Sequence, residues 1–387
     1  MHQPRRAIVG EGRHALPAAV RKAMHATFLS LCGPILLVPF LSIACVSHTT
    51  KPYRAEARGD VRRAAPPSLR PPGPRLDVVE MTAGRSGDHD VLKLYRTAPC
   101  GASTRSELGA LAYVSRAPGA KRWILVLPIW GSSTYPPRKL VTWLTHGSSG
   151  RGTNVLWIQD PGRASLIDFP SLRASPSPED FLAVLSRSAD CIGAAAQDVR
   201  GWLDWVLHQP GVDPRRVGLV GCSIGAMVGS LAMGRDGRFG AGVFVMGGGH
   251  LDEILSTCYG EEAEVRRHAA EAFGWSQEEF QREVAEPLAA VDPVAVAGNI
   301  NPADVLFIDA GRDSCIPPSA RDGLWEAMGR PERVTLDYDH KTSFLSMTFL
   351  GFDRTTQRAV EFLDAKLPVP TIAAPPLPST VVRTQPQ

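Results

Sequence analysis

Residues 217–233 read VGLVGCSIGAMVGSLAM, a serine between two glycines with an apolar run on either side. The run 217–220 is short, apolar and β-branched at both ends, as a strand buried on both faces would be, whereas 226–233 suits a buried helix. Ser223 therefore stands at the junction of a strand and a helix. A turn that sharp holds its central residue at strained dihedrals, and a side chain at Gly221 or Gly225 would collide with the neighbouring strand or helix. The bend lifts a hydroxyl clear of the sheet and sets the N–H groups of a helix N-terminus beside it. A glycine-rich turn whose serine only caps the helix is the plainer reading. The rest of the chain has to decide between them.

A serine hydroxyl is a weak nucleophile; it needs a base, and the base needs an orienting carboxylate. VLFID at 305–309 reads as a strand, and the loop after it, GRDSCIPP, carries Asp313. VTLDY at 334–338 reads as the next strand and is followed by Asp339 and His340, the last histidine in the sequence. Both residues fall at C-terminal strand ends, where open α/β sheets gather their functional groups. Singly, Asp313 reads as a helix cap and His340 as a turn residue. In the order Ser223, Asp313, His340, each after its strand, they read as a triad. Asp252, in GGGHLD after the strand 242–246, is the alternative acid. Backbone N–H groups must also meet the oxygen on which charge develops. Ile224, next to the serine, is one expected donor. Trp130, in the loop PIWGSS after the strand WILVL, is the other, although that loop also reads as an ordinary strand–helix turn.

Strand-like runs recur at 76–80, 91–95, 108–114, 122–127, 154–158, 217–220, 242–246, 305–309 and 333–338. The later ones are near-continuous apolar runs, as in a parallel sheet covered on both faces. Between them lie helical patterns, for example Val199, Trp202, Leu203 and Val206 on one face, ended by Pro210-Gly211. The fold class expected is α/β, with a mostly parallel central sheet and helices on both faces. Residues 250–300 break the alternation. A helix over 262–272 and a capping box at Ser276–Glu279 place two helices in succession, a small helical cap. The catalytic domain is expected over 76–366.

The ends have a different character. An apolar stretch at 28–44 follows Arg21 and Lys22, the layout of a secretory signal, and ends in LSIAC, a lipobox-like pattern with Cys45 as the candidate lipidation site. The twenty residues before Arg21 are long for such a signal, which puts the expected translation start near Val20 or Met24. An ordinary signal-peptidase site or a retained anchor are the alternatives. Residues 1–45 are thus read as a signal segment, 46–75 as a Pro/Arg-rich tether, and 367–387 as a Pro-rich tail. The expected location is the cell envelope, with membrane anchoring through the N-terminus. Residues 1–80 hold 12 Lys/Arg against 5 Asp/Glu, so the net charge of +3 comes from the leader and the body is mildly acidic. A nucleic-acid partner is not expected of such a body. Five cysteines follow the leader, none in C-x-x-C spacing, so disulfides are open and their connectivity is not readable.

DVRGWLDWVLHQPGVDPRRVGLVGCSIGA, DAGRDSCIPP and DHKTSF together resemble the α/β-hydrolase family, closest to its dienelactone-hydrolase and acetyl-xylan-esterase-like members, over about residues 90–366. The resemblance implies a serine hydrolase in which Ser223, Asp313 and His340 match the triad. It implies no metal and no cofactor, and a small-molecule or lipid-like ester as substrate. Pro128-Ile129 stands where the family usually has His-Gly, and Asp339 where a glycine often precedes the histidine. Thioesterase, lipase and peptidase chemistry on the same fold are the alternatives, as is a non-catalytic binding protein that keeps the fold.

Overall fold

The computed structural model describes residues 48–54, 76–97, 106–119, 121–129, 135–146, 150, 152–159, 166–349 and 354–369. In chain order the elements are β1 (His48–Lys51), β2 (Val79–Ser86), β3 (His89–Thr97), β4 (Ser106–Ser115), β5 (Lys121–Val126), α1 (Pro137–His146), β6 (Thr153–Ile158), α2 (Phe169–Arg173), α3 (Pro178–Leu207) and β7 (Val212–Cys222). There follow α4 (Ile224–Arg235), β8 (Ala241–Val245), α5 (Leu251–Thr257), α6 (Glu261–Phe273), α7 (Gln277–Ala289), α8 (Val294–Ala297), β9 (Val305–Ala310), α9 (Pro318–Ala327), β10 (Glu332–Leu336), α10 (His340–Phe349) and α11 (Arg354–Lys366). The strands form one sheet in the order β1-β10-β9-β8-β7-β5-β6-β4-β3-β2. From β10 to β6 every neighbour is parallel, and the two flanks are antiparallel.

The period of two along each strand sorts the core into two layers. Trp123, Leu125, Val217, Leu219, Val305 and Phe307 face one side, where α3 and α4 cover them. Ile124, Val126, Val220, Cys222, Leu306 and Ile308 face the other, under α1 and α11. A sheet buried on both faces has no room for polar alternation, which is why these strands read as unbroken apolar runs. The helices start where chemistry allows. Ser177 caps α3 by accepting from the Asp180 amide, with Pro178 at the first helical position. Ser276 and Glu279 form the expected capping box at α7.

The complete burial of Arg122 fixes the position of α11. Its Nε donates to Thr153 Oγ1 at 2.8 Å and its Nη1 to the Leu367 carbonyl at 3.2 Å, while Asp364 pairs with it at 2.6 Å. A buried guanidinium persists only with its charge and donors met, so β5, β6 and α11 are held in one register.

Several expectations are corrected. Residues 48–51 lie inside the expected tether, yet they pair antiparallel with β10, His48 opposite Leu336 and Lys51 opposite Arg333. An edge strand leaves a row of unpaired N–H and C=O groups, and a short segment with two threonines can add to it without burying a side chain. All four residues of β1 are exposed. The first strand expected at 76–80 is β2, three residues further on and bulged between Thr82 and Gly84. The strand read at 217–220 begins earlier, at Val212 opposite Lys121, and residues 213–216 bulge out before pairing resumes at Val217 opposite Trp123. Four helices, α5 to α8, fill the segment read as two. Among the described residues no helix is long and apolar enough to cross a membrane. The stretch 28–44 and Cys45 lie outside them.

Cys258, at the end of α5, is bonded to Cys315 in the loop after β9, 57 residues away in sequence. Cys191 is disulfide-bonded as well, and Cys222 is buried at the end of β7. In the chain-entropy account, a cross-link closing a loop of this length is worth about 4 kcal/mol. Replacing both Cys258 and Cys315 by Ser should therefore lower Tm by roughly 10 °C in differential scanning calorimetry. An unchanged Tm would refute a stabilising role for this cross-link.

Candidate active site

The sharp turn read from the sequence exists. Ser223 adopts φ 53° and ψ −123° between β7 and α4, and its N–H donates to the Val245 carbonyl at 2.8 Å. A Cβ on Gly221 would stand 2.1 Å from the Gly225 carbonyl oxygen, and one on Gly225 would stand 2.4 Å from that of Pro128. Neither position admits a side chain. Ile224 opens α4, so its N–H has no intrahelical partner, and it lines the same cavity as Ser223. The loop after β5 passes against this turn at Pro128. Trp130, two residues on, lies outside the described residues.

Three elements deliver the other groups. The His340 ring begins α10, directly after β10, and Asp313 follows β9. His340 Nε2 lies 3.2 Å from Ser223 Oγ, and His340 Nδ1 lies 2.6 Å from Asp313 Oδ2. With the proton on Nδ1, that nitrogen donates to the carboxylate and Nε2 accepts from the hydroxyl. Asp313 Oδ1 accepts the amide hydrogens of Cys315 at 2.9 Å and Ile316 at 3.0 Å. Both carboxylate oxygens thus have partners, and the side chain is fully shielded from solvent. A carboxylate so held can orient a ring. Asp252, the alternative acid, is not brought to His340. It sits in the first turn of α5, where its Oδ2 accepts from Gln281 Nε2 at 3.1 Å.

The cavity beside Ser223 has a volume of about 80 Å³. Aliphatic side chains such as Ile192, Met227, Leu251, Ile254 and Leu288 form most of its wall, which also includes Cys315, Ile316 and Glu262. The helices α5, α6 and α7 thus contribute one side of the cavity, and the turn at Ser223 and α4 another. The Lys341 ammonium stands 4.4 Å over the ring of Tyr259, which brings the start of α10 to the segment between α5 and α6. Burial, then the negative charges of Asp313, Asp339 and Glu262, push the Tyr259 phenol up.

Glu262 is the residue that sequence reasoning missed. Burial pushes its carboxyl up, and the charge of Glu261 adds to this. Its own amide, Arg266 and His340 act in the opposite direction. The signal was readable: Glu262, Val265 and Ala269 follow i, i+3, i+7, and the latter two are fully buried. A carboxylate opens the apolar stripe of α6.

A second cluster can be set aside. His250, Asp252 and Asp292 each bring a ligand-type atom within 4.8 Å of the others. Asp292 already accepts the amide hydrogens of Leu251 at 2.8 Å and Val294 at 2.9 Å. The Asp292 carboxylate thus braces the starts of α5 and α8.

No protein-family model matches the sequence, and no curated protein matches it. Solved structures do. The acetyl xylan esterase from Paenibacillus sp. R4 superposes with a TM-score of 0.54 at 18% identity, covering 78% of this chain and 91% of that one. Acetyl xylan esterase 1 from Thermoanaerobacterium sp. JW/SL YS485 superposes with a TM-score of 0.53 at 18% identity, covering 75% and 87%. The ten-stranded, mostly parallel sheet, the strand–serine–helix turn and these two superpositions agree: the chain has the α/β-hydrolase fold.

Proposed function

We propose that this protein is a serine hydrolase that cleaves carboxylic esters of small acyl groups through an acyl-enzyme. The observation that carries the reading is the hydrogen-bonded series from Asp313 through His340 to Ser223, at 2.6 Å and 3.2 Å. Ser223 Oγ attacks the carbonyl carbon as His340 Nε2 takes its proton, and Asp313 holds the ring and stabilises the imidazolium that forms. Charge collects on the carbonyl oxygen, where the Ile224 N–H is one donor and Trp130 the candidate for the second. His340 returns the proton to the departing alkoxide. Water then attacks the acyl-enzyme with His340 again as base, which frees Ser223 and the acid.

The wall of the cavity argues for a small acyl group. Its volume of about 80 Å³ is well below the roughly 300–1,000 Å³ of sites that enclose drug-sized ligands. The two acetyl xylan esterases named above act on an acetyl ester, and a site of this size suits such a group.

A fluorophosphonate probe should label the wild-type protein at Ser223 and leave Ser223→Ala unlabelled. In Ser223→Ala and His340→Ala, kcat should fall by on the order of 10⁴-fold or more, because the two act as a unit. Asp313→Asn should lose about 10⁴-fold and Asp252→Asn no more than about threefold. Undiminished turnover in Ser223→Ala sinks the reading, and the reverse ranking of the two aspartates moves the acid to Asp252. Across p-nitrophenyl esters, kcat/KM should peak at acyl chains of about two to four carbons. A peak at octanoate would show that the cavity does not hold the acyl group.

The N-terminal pattern supports export and lipidation at Cys45, with the following residues linking the anchor to the sheet. Because β1 begins at His48, only Val46 and Ser47 lie between that anchor and the sheet. Intact-mass analysis of membrane-fraction protein should find a diacylated Cys45 at the mature N-terminus, and Cys45→Ser should release activity into the soluble fraction or block processing. An unmodified N-terminus at another residue would rule the anchor out and leave the hydrolase reading standing.

A further inference from the structure

The first turn of α6 holds three glutamates, and two of them have an ordinary explanation. Glu261 and Glu264 pair with Arg173 at 3.5 Å and 2.9 Å on the outer face. Negative charge at a helix N-terminus is favourable there. Glu262 points the other way. It occupies the head of the buried stripe that continues through Val265 and Ala269, and it lines the cavity that holds Ser223. Among the described residues no ion pair reaches its carboxylate; its own amide and Arg266 favour the charged form without offsetting burial. Arg266, one turn on, is turned away to the Leu255 carbonyl, which its Nη1 meets at 2.8 Å.

A carboxylate in an otherwise apolar wall is costly, and a leucine would fill the place at no such cost. If the helix dipole were its whole role, the net effect of its surroundings would favour the ionised form. They disfavour it, with burial the largest cause. Protonation would relieve this, and so would a positive charge or strong donors brought into the cavity from outside. A substrate at Ser223 enters the space that Glu262 also lines and can bring such a group with it.

We propose that Glu262 is the specificity determinant of this site, receiving an ammonium group that the substrate carries within a few bonds of its scissile carbonyl. This rests on the serine-hydrolase reading of Ser223. An ammonium–carboxylate hydrogen bond is about twice as strong as a neutral one. It also neutralises a charge that would otherwise oppose the oxyanion as it forms nearby, so the gain is larger in the transition state than in the ground state. Substrates with a carboxylate in the same place are rejected by like-charge repulsion.

The test compares three ethyl esters of similar length at neutral pH, followed by pH-stat in the full chain. β-Alanine ethyl ester carries the ammonium, ethyl butyrate is its neutral counterpart, and monoethyl malonate carries a carboxylate. Each preference is read as a ratio of kcat/KM within one protein, so a change in overall activity cancels. The wild type should favour β-alanine ethyl ester over ethyl butyrate by about tenfold or more, with monoethyl malonate the poorest. In Glu262→Gln the first ratio should fall to about one and monoethyl malonate should gain on the others. Glu262→Asp, which keeps the charge, should retain a preference for the cation, and this arm reports even where Glu262→Gln is poorly folded. A wild-type ratio near one, or a ratio that survives in Glu262→Gln, overturns the proposal while fluorophosphonate labelling of Ser223 leaves the hydrolase standing. No turnover of any ester together with no labelling overturns both.

Discussion

The turn at Ser223 is the constraint to which the surrounding architecture conforms. At φ 53° the residue sits where L side chains rarely go, at a cost of order 1–3 kcal/mol. The turn survives because its neighbours leave no alternative. Gly221 lies so close to the start of α4 that a methyl group would overlap the Gly225 carbonyl, and Gly225 lies as close to Pro128. The first turn of α4 is thereby clamped between the end of β7 and the loop after β5. The Ser223 N–H to the Val245 carbonyl then ties the turn to β8. Four segments meet at one point, and moving any of them moves the hydroxyl.

Parallel topology turns this point into a site. The strands β7, β8, β9 and β10 run side by side in the same direction, so their C-terminal ends share one edge of the sheet. Ser223 leaves β7, Asp313 follows β9 and His340 follows β10, which brings residues separated by as many as 117 positions within hydrogen-bond reach. An antiparallel arrangement would send alternate ends to opposite edges and could not gather them this way. The two apolar layers matter for the same reason. They hold the strands rigid from both faces, so the spacing of their ends is fixed before any loop adds its own order.

What the sequence disclosed follows from how local each signal is. Every central strand announced itself as a short apolar run, because burial on both faces leaves a mark that needs no partner to interpret. The Ser223 turn was equally local: two glycines and a serine within five residues. The edge strand β1 carried no such mark, since HTTK becomes a strand only because β10 presents an open edge to it. The pairing of Cys258 with Cys315 was closed to inspection, since any pairing of five cysteines was open and only the fold brings these two together. The choice between Asp313 and Asp252 was of the same kind. Both follow a β-strand, and which one faces His340 depends on the path of the loops. Glu262 was legible in principle, as a charged residue in register with a buried stripe, but a helix rich in first-turn glutamates hides one that faces inward.

The loop after β9 joins these separate features into one unit. Asp313 Oδ1 accepts from the amides of Cys315 and Ile316, so the carboxylate that orients His340 is itself oriented by the backbone that follows it. The same two residues form part of the cavity wall, and the Cys315 sulfur is bonded to Cys258 at the end of α5. Tyr259, the next residue, meets Lys341, the neighbour of His340. Displacing the inserted helices would therefore pull on the loop that holds Asp313 and, through Tyr259, on the start of α10. The cavity wall and the hydrogen-bonded series Asp313–His340–Ser223 are mechanically one object here. Glu262 rides on α6, two residues past Gly260 in that same connected segment, so the Glu262 and Asp313 carboxylates share a single support.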